Sequence, residues 1–318
     1  MDKETSPDDE PAKEETAEKG EETTKKEPEP EVFEPIEFKL SGRKFVRNIV
    51  LFFVFLEFVG FLLDYFINYR KIIDIDPIRS LCNITREDCI QTWIGVTQTF
   101  LVGLTLWFIV ILRKKQGASL WRLFGWSFLA LFFTYMAFDD GTFFHERMGT
   151  AFDDIFDKPV PQGQEANIGN KMVDIFPSYY WQILYIPPLA LTALFMIYFI
   201  WFEIRSFKSL FVVCVALGLF VAAVGLDFIE GLHRNHEWNI WGMLRSPELD
   251  LKTFELFGRS SFETMVHFGK SVEETIEMLA NTLLWGVFLT YLVDKGGRQF
   301  SVEFTREAPM PEVAKEDG

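Results

Sequence analysis

Six stretches of this 318-residue chain are long and apolar enough to cross a bilayer: 45–67, 92–112, 120–138, 179–202, 209–229 and 275–293. A segment in hydrocarbon must satisfy its own backbone polar groups, and a single apolar stretch does so only as an α-helix. The fold class expected is therefore all-α, a polytopic membrane bundle of six transmembrane helices occupying 41–298. The fourth stretch contains "IPPLAL", so Pro187 and Pro188 should kink or offset that helix.

The flanks differ in kind from the spans. Residues 1–36 carry 14 acidic and 5 basic side chains, which accounts for much of the formal net charge of -15. Apart from Met1, their only bulky apolar residues are Val32, Phe33 and Ile36. Such a segment buries too little surface to offset its ordering entropy, so 1–40 is expected to be a disordered acidic tail. A cleavable leader is not expected ahead of the first span, because the tail is long and acidic. Residues 299–318 form a second tail.

Basic residues set the orientation. The short loops 113–119 ("RKKQGAS") and 202–208 ("FEIRSFK") are basic, as are the flanks at Lys39, Arg43, Lys44, Arg47, Lys295 and Arg298. With six spans, these segments share one face, which the positive-inside rule makes cytoplasmic. Both tails lie on that face, in a multi-pass protein of the inner or plasma membrane. The longer loops, about 68–91, 139–178 and 230–271, then face outward. Cys82 and Cys89 fall together in the first outer loop, where an oxidising compartment would let them form a disulfide. Cys214, inside the fifth span, reads as a small packing residue.

The third and fifth spans end alike. "FLALFFTYMAFDDGTFFHER" (128–147) aligns without gaps on "ALGLFVAAVGLDFIEGLHRN" (216–235), placing Asp139 on Asp227 and His145 on His233. At 100° per residue, Asp139, Thr142, His145 and Glu146 would share one helical face, and so would Asp227, Glu230, His233 and Arg234. Asp140 would point elsewhere. The sixth span supplies a third stripe, with His267, Lys270, Glu274, Glu277 and Asn281 spaced by three and four residues, while Glu273 would face water or headgroups. The first span also ends on an acid, Asp64. Carboxylates at this depth are costly and usually face a bundle interior, paired or ion-bound.

The pattern points to a divalent metal site, of zinc, iron or manganese, built from Asp139, His145, Asp227, Glu230, His233 and Glu277. Metal-assisted hydrolysis would follow, with Glu146 or Glu274 as general base and a lipid-like molecule as substrate. The partners expected are membrane lipids, and no nucleic acid. Two other classes use the same residues. A cation- or proton-coupled transporter would route its ion through these carboxylates and Glu57 in the first span. A scaffold or sensor would instead bind a partner through the acidic tail or the outer loops.

The motifs "FDDGTFFHERMG" and "EETIEMLANTLL" resemble those of a group of uncharacterised bacterial multi-pass membrane proteins. In that group an apolar helix ends in Leu-Asp-Glu, a His-Glu pair follows, and a late helix opens with Glu-Glu-x-x-Glu. Asp139-Asp140, His145-Glu146 and Glu273-Glu274-x-x-Glu277 match, with Asp140 standing where Glu is usual. The resemblance implies a shared site and assigns it no chemistry.

Overall fold

The structure, a computed structural model, describes residues 37–156, 167–297 and 299–303, and the acidic tail expected at 1–40 falls almost wholly outside them. Six helices in the described residues are long and apolar enough to cross a membrane. They are α1 (Gly42–Leu63), α3 (Ile90–Lys115), α4 (Leu120–Thr142), α7 (Trp181–Ile204), α8 (Phe207–Gly231) and α11 (Ser261–Gly296). Shorter helices lie between them: α2 (Asp76–Cys82), α5 (Phe144–Phe156), α6 (Ile168–Ile175), α9 (Ile240–Met243) and α10 (Pro247–Phe257). Two short strands, β1 (Glu37–Ser41) and β2 (Gln299–Glu303), pair with each other.

The spans fall where hydropathy places them, with two differences. The sixth helix begins at Ser261, well before the apolar stretch that opens near 275. Its start is set by a capping box, in which the Ser260 side chain accepts from the Glu263 N–H and Glu263 accepts from the Ser260 N–H. Hydropathy registers only the part of a helix that meets hydrocarbon, so the polar first turns escape it. The other difference is at α1, which continues past Leu63 as a π-helical stretch over Asp64–Tyr69. Pro187 and Pro188 lie on an exposed face inside the otherwise continuous α7.

α11 is the central helix, packing on α1, α3 and α8, and α3 packs closely on α4. Lipid tails are as apolar as Leu, so these helices are held by close packing and polar links rather than by the hydrophobic effect. Trp126, Phe133, Phe199 and Phe288 interlock at the centre with rings edge-on. Gly125 permits this, because a Cβ there would collide with the Phe199 ring. The indole N–H of Trp285 donates to Thr105 at 2.8 Å, tying α11 to α3.

One end of the bundle is closed by ion pairs. Glu203, at the end of α7, meets Arg113 at 3.2 Å and Arg122 at 3.0 Å and accepts from the Tyr291 hydroxyl. Arg43 pairs with Asp294 at 3.1 Å, and the Gln116 amide donates to the Lys295 carbonyl. These contacts gather the basic loop ends read from the sequence at one end of the spans. The opposite end, where α4 and α8 finish, holds the acidic residues.

Candidate functional site

At that acidic end α3, α4, α7, α8 and α11 separate around a cavity of about 700 Å³. Its deeper wall is apolar, including Phe132, Phe133, Met196, Leu217, Phe220 and Leu284. Its outer wall carries Asp139, Asp140, His145, Glu146, Asp227, Glu273, Glu274 and Glu277, with Lys270 as the basic residue from α11. Thus α4, α5, α8 and α11 bring most of the expected polar residues to one space. The cavity also reaches the lipid-facing side. Ile186 on α7 and Val221 on α8 line it, yet they are 40% and 74% exposed.

The continuous helix expected through Asp139 and His145 does not form. α4 stops at Thr142 because Phe143 takes a left-handed conformation, φ 54°, and α5 starts afresh at Phe144. The break folds His145 back onto Asp139. The His145 backbone N–H donates to Asp139 Oδ1 at 2.9 Å, and its Nδ1 lies 2.7 Å from Oδ2. The Tyr135 hydroxyl donates to the same carboxylate at 3.2 Å. Asp139 therefore holds the imidazole by one nitrogen and leaves Nε2 as the remaining ring nitrogen, the arrangement by which a carboxylate sets a histidine's tautomer. Trp181 packs edge-on against the ring, with centroids 4.8 Å apart.

Burial lowers the affinity of His145 for a proton, but the Asp139 hydrogen bond and the surrounding carboxylates outweigh it, and its pKa is raised above the ordinary 6.5. Glu146 is also raised. Burial is the main cause, Glu87 and Asp227 add to it, and His145 and Lys270 oppose it. A histidine and a carboxyl that both hold protons above their usual range sit side by side on α5.

Several expectations need correction. Asp140 does not point elsewhere: it lines the cavity and accepts from the Thr99 hydroxyl at 3.2 Å, because the tight α3–α4 contact brings Thr99 to its side of α4. Glu273 does not face water. It is buried on the cavity wall, because α11 has neighbours on several sides and exposes little of itself at this level. His233 does not join Asp227. α8 ends at Gly231, Leu232 turns extended, and His233 is exposed, accepting the Asn235 N–H. Asp227 instead accepts from the Gln182 amide of α7 at 2.7 Å. Glu230 stays behind the wall and meets Lys270 at 3.6 Å. His267 leaves the third stripe for α1, where its Nε2 lies 2.8 Å from Asp64. Ser271 and Asn68 complete that buried group.

Cys82 and Cys89 are both buried and free in this structure. Burial, followed by the nearby Asp64 and Cys89, pushes the Cys82 thiol up. Cys89 Sγ serves as the cap of α3, accepting the Thr92 N–H. As for a metal, the donors on the wall have the right chemistry, carboxylates with one imidazole. Among the described residues, however, no three His, Cys, Asp or Glu side chains converge as an ion would need.

Sequence reading missed two glutamines. Gln91 and Gln182 are buried on the cavity wall. Gln91 Nε2 and Oε1, Gln182 Oε1 and Glu273 Oε2 have no hydrogen-bond partner among the described residues. Buried polar atoms are seldom left so, and four of them border one cavity. Neutral amides near the ends of apolar spans give no charge signal, so nothing in the sequence marked them.

No curated protein and no solved structure matches the chain. The family described as Domain of unknown function (DUF8692) matches residues 49–292, which include α3, α4, α7 and α8 entire, most of α1 and α11 and every residue of the cavity wall, and the chain belongs to that family.

Proposed function

We propose that this membrane protein takes a lipid-like amphiphile into the cavity and hydrolyses it at the acidic end. The observation that carries the reading is the cavity's division into an apolar wall at membrane depth and a polar wall with unpartnered buried polar atoms. A chain-bearing molecule lies against Phe132, Met196 and Phe220, and its polar end meets Gln91, Gln182 and Glu273. Entry is lateral, past Ile186 and Val221.

The chemistry follows from α5. His145, oriented by Asp139, takes a proton from water on Nε2 as the water oxygen adds to the carbonyl carbon of an ester or amide. Glu146, whose proton affinity is raised mainly by desolvation, acts as the acid and gives a proton to the leaving oxygen or nitrogen as that bond breaks. The imidazolium then returns a proton to Glu146, and both groups regain their starting states. Glu274 is the second carboxyl placed to serve as acid or base. Zinc, iron or manganese at Asp139, Asp227, Glu277 and His145 belongs to the same proposal as an alternative way of activating the water. The carboxylates do not converge on one point, so no step is routed through an ion. The basic ends of the spans support an extracytoplasmic acidic end with both termini in the cytoplasm.

The test is turnover. Protein in nanodiscs made with total membrane lipid is assayed by mass spectrometry for fatty acid or lysolipid release, with and without chelator, alongside metal analysis. The expected result is product from the wild type and none from His145→Ala or Glu146→Gln. Loss on chelation with a stoichiometric metal assigns the ion form. Bound lipid that is never converted would overturn hydrolysis and favour the second reading, a cation- or proton-coupled carrier, to which the buried Glu57 lends support.

A further inference from the structure

Glu57 lies near the middle of the first span, facing inward, and is 3% exposed. It does not line the cavity. Its Oε1 accepts from the Thr282 hydroxyl of α11 at 2.5 Å and from the Gln98 amide of α3 at 3.0 Å. Gln98 and Thr282 also touch each other, and both are 0% exposed. Among the described residues no basic side chain pairs with Glu57, unlike Glu203, which has two arginines. A carboxylate at bilayer depth served only by neutral donors leaves its charge uncompensated, which is costly.

A second observation points to what compensates it. Gln98 Oε1 is buried and has no hydrogen-bond partner. Amide oxygen and nitrogen are exchanged by a half-turn of the side chain. After that turn the oxygen would sit beside both Glu57 and Thr282, with the nitrogen in the place now held by Oε1, and three oxygens from α1, α3 and α11 would face one another.

We infer that Glu57, Gln98 and Thr282 form a binding site for a monovalent cation, sodium, between α1, α3 and α11. With Gln98 so turned, the donors are all oxygen, which suits a hard cation. They carry one negative charge, which a monovalent ion cancels, whereas a divalent ion would leave a net positive charge buried. Both Gln98 and Thr282 are fully buried and the triad lies off the cavity, which suits the smaller sodium better than potassium. The site backs onto the cavity wall. Thr99 and Asn281, the chain neighbours of Gln98 and Thr282, line the cavity, and the Asn281 amide donates to Thr99 at 3.2 Å. An ion that fixes Gln98 and Thr282 therefore also fixes the wall that holds Asp140 through Thr99. The inference does not depend on hydrolysis.

The experiment uses the full chain in detergent. Thermal unfolding is followed in sodium, potassium and N-methylglucamine chlorides at equal ionic strength and at several pH values, and radioactive sodium binding is measured on the wild type. Sodium should raise Tm by several degrees over potassium and N-methylglucamine, bind saturably near one ion per chain, and be displaced by unlabelled sodium. Glu57→Gln and Thr282→Val should remove the sodium dependence, and Glu255→Gln, on the exposed side of α10, should retain it. Equal Tm in all three salts, with no saturable binding by the wild type, would overturn the inference whether or not the variants fold. So would a stabilisation that follows pH and ignores sodium, which would assign Glu57 to a proton.

Discussion

Two helices in this protein end on the same letters, an Asp and a His six residues later, and they finish differently. After Asp139 the chain turns at Phe143 and His145 returns to the carboxylate. After Asp227, α8 runs on to Gly231, the chain leaves in an extended conformation, and His233 stands in solvent. Asp227 then takes its partner from another helix, Gln182 of α7. Equal spacing thus gives one local dyad across the α4–α5 turn and one bond to a distant helix. The difference lies in the five residues of backbone between the acid and the histidine. The first ending builds a chemical group, and the second closes the outer end of the α7–α8 pair around the cavity.

The largest test of that contrast removes each acid. Asp139 is almost fully buried and accepts three hydrogen bonds. Asp139→Ala strands His145 and Tyr135 and should cost about 3–5 kcal/mol, as for a buried pair that loses one partner. Asp227→Ala breaks one side-chain hydrogen bond, from Gln182, and should cost about 1–3 kcal/mol. Chemical unfolding in detergent orders the two, and equal losses would remove the distinction between the endings.

The turn at Phe143 comes next. A left-handed non-glycine residue costs about 1–2 kcal/mol, and a β-branched one tolerates it least. Phe143→Val should therefore be less stable than Phe143→Gly by about that amount. The same pair of substitutions at Ile229, inside α8, should reverse the order, since glycine in a helix interior is the poorer residue by about 0.5 kcal/mol. If Val and Gly rank alike at both sites, the turn does not carry the difference.

A smaller effect follows from titration. The His145 pKa is raised in the folded protein, so its proton is held more tightly there than in the unfolded chain. That contribution to stability is complete below the unfolded value near 6.5 and is lost as pH rises through the elevated folded value. The proposed hydrolysis needs the neutral ring, so on that proposal turnover should rise over the window in which this stability fades. Asp139→Asn should move both transitions to lower pH. The exposed His233 provides the smallest effect: His233→Ala should change stability by no more than about 0.5 kcal/mol and leave turnover intact.

The six spans were legible because backbone satisfaction in hydrocarbon leaves one solution, and hydropathy reports it directly. The acidic wall was legible in part, since helical spacing places Glu274, Glu277 and Asn281 on one face whatever they pack against. It failed where a residue's neighbour decides its role. Asp140 and Glu273 face the cavity because α3 and α11 sit where they do, and a single-helix projection contains no neighbours. His267 belongs to Asp64, a partner 203 residues away. The αL residue at Phe143 carries no glycine or asparagine to announce it, and the amides of Gln91, Gln98 and Gln182 carry no charge.

On the function proposed above, one amphipathic cavity holds a lipid-like molecule with its polar end beside His145. Native mass spectrometry of the full chain, released gently from detergent, tests it by comparing the wild type with Ala193→Trp, which fills the apolar wall from α7. The wild type should carry a bound lipid that is absent from an equally folded Ala193→Trp. Identical spectra from the two proteins, with the same lipid retained or none on either, would contradict it.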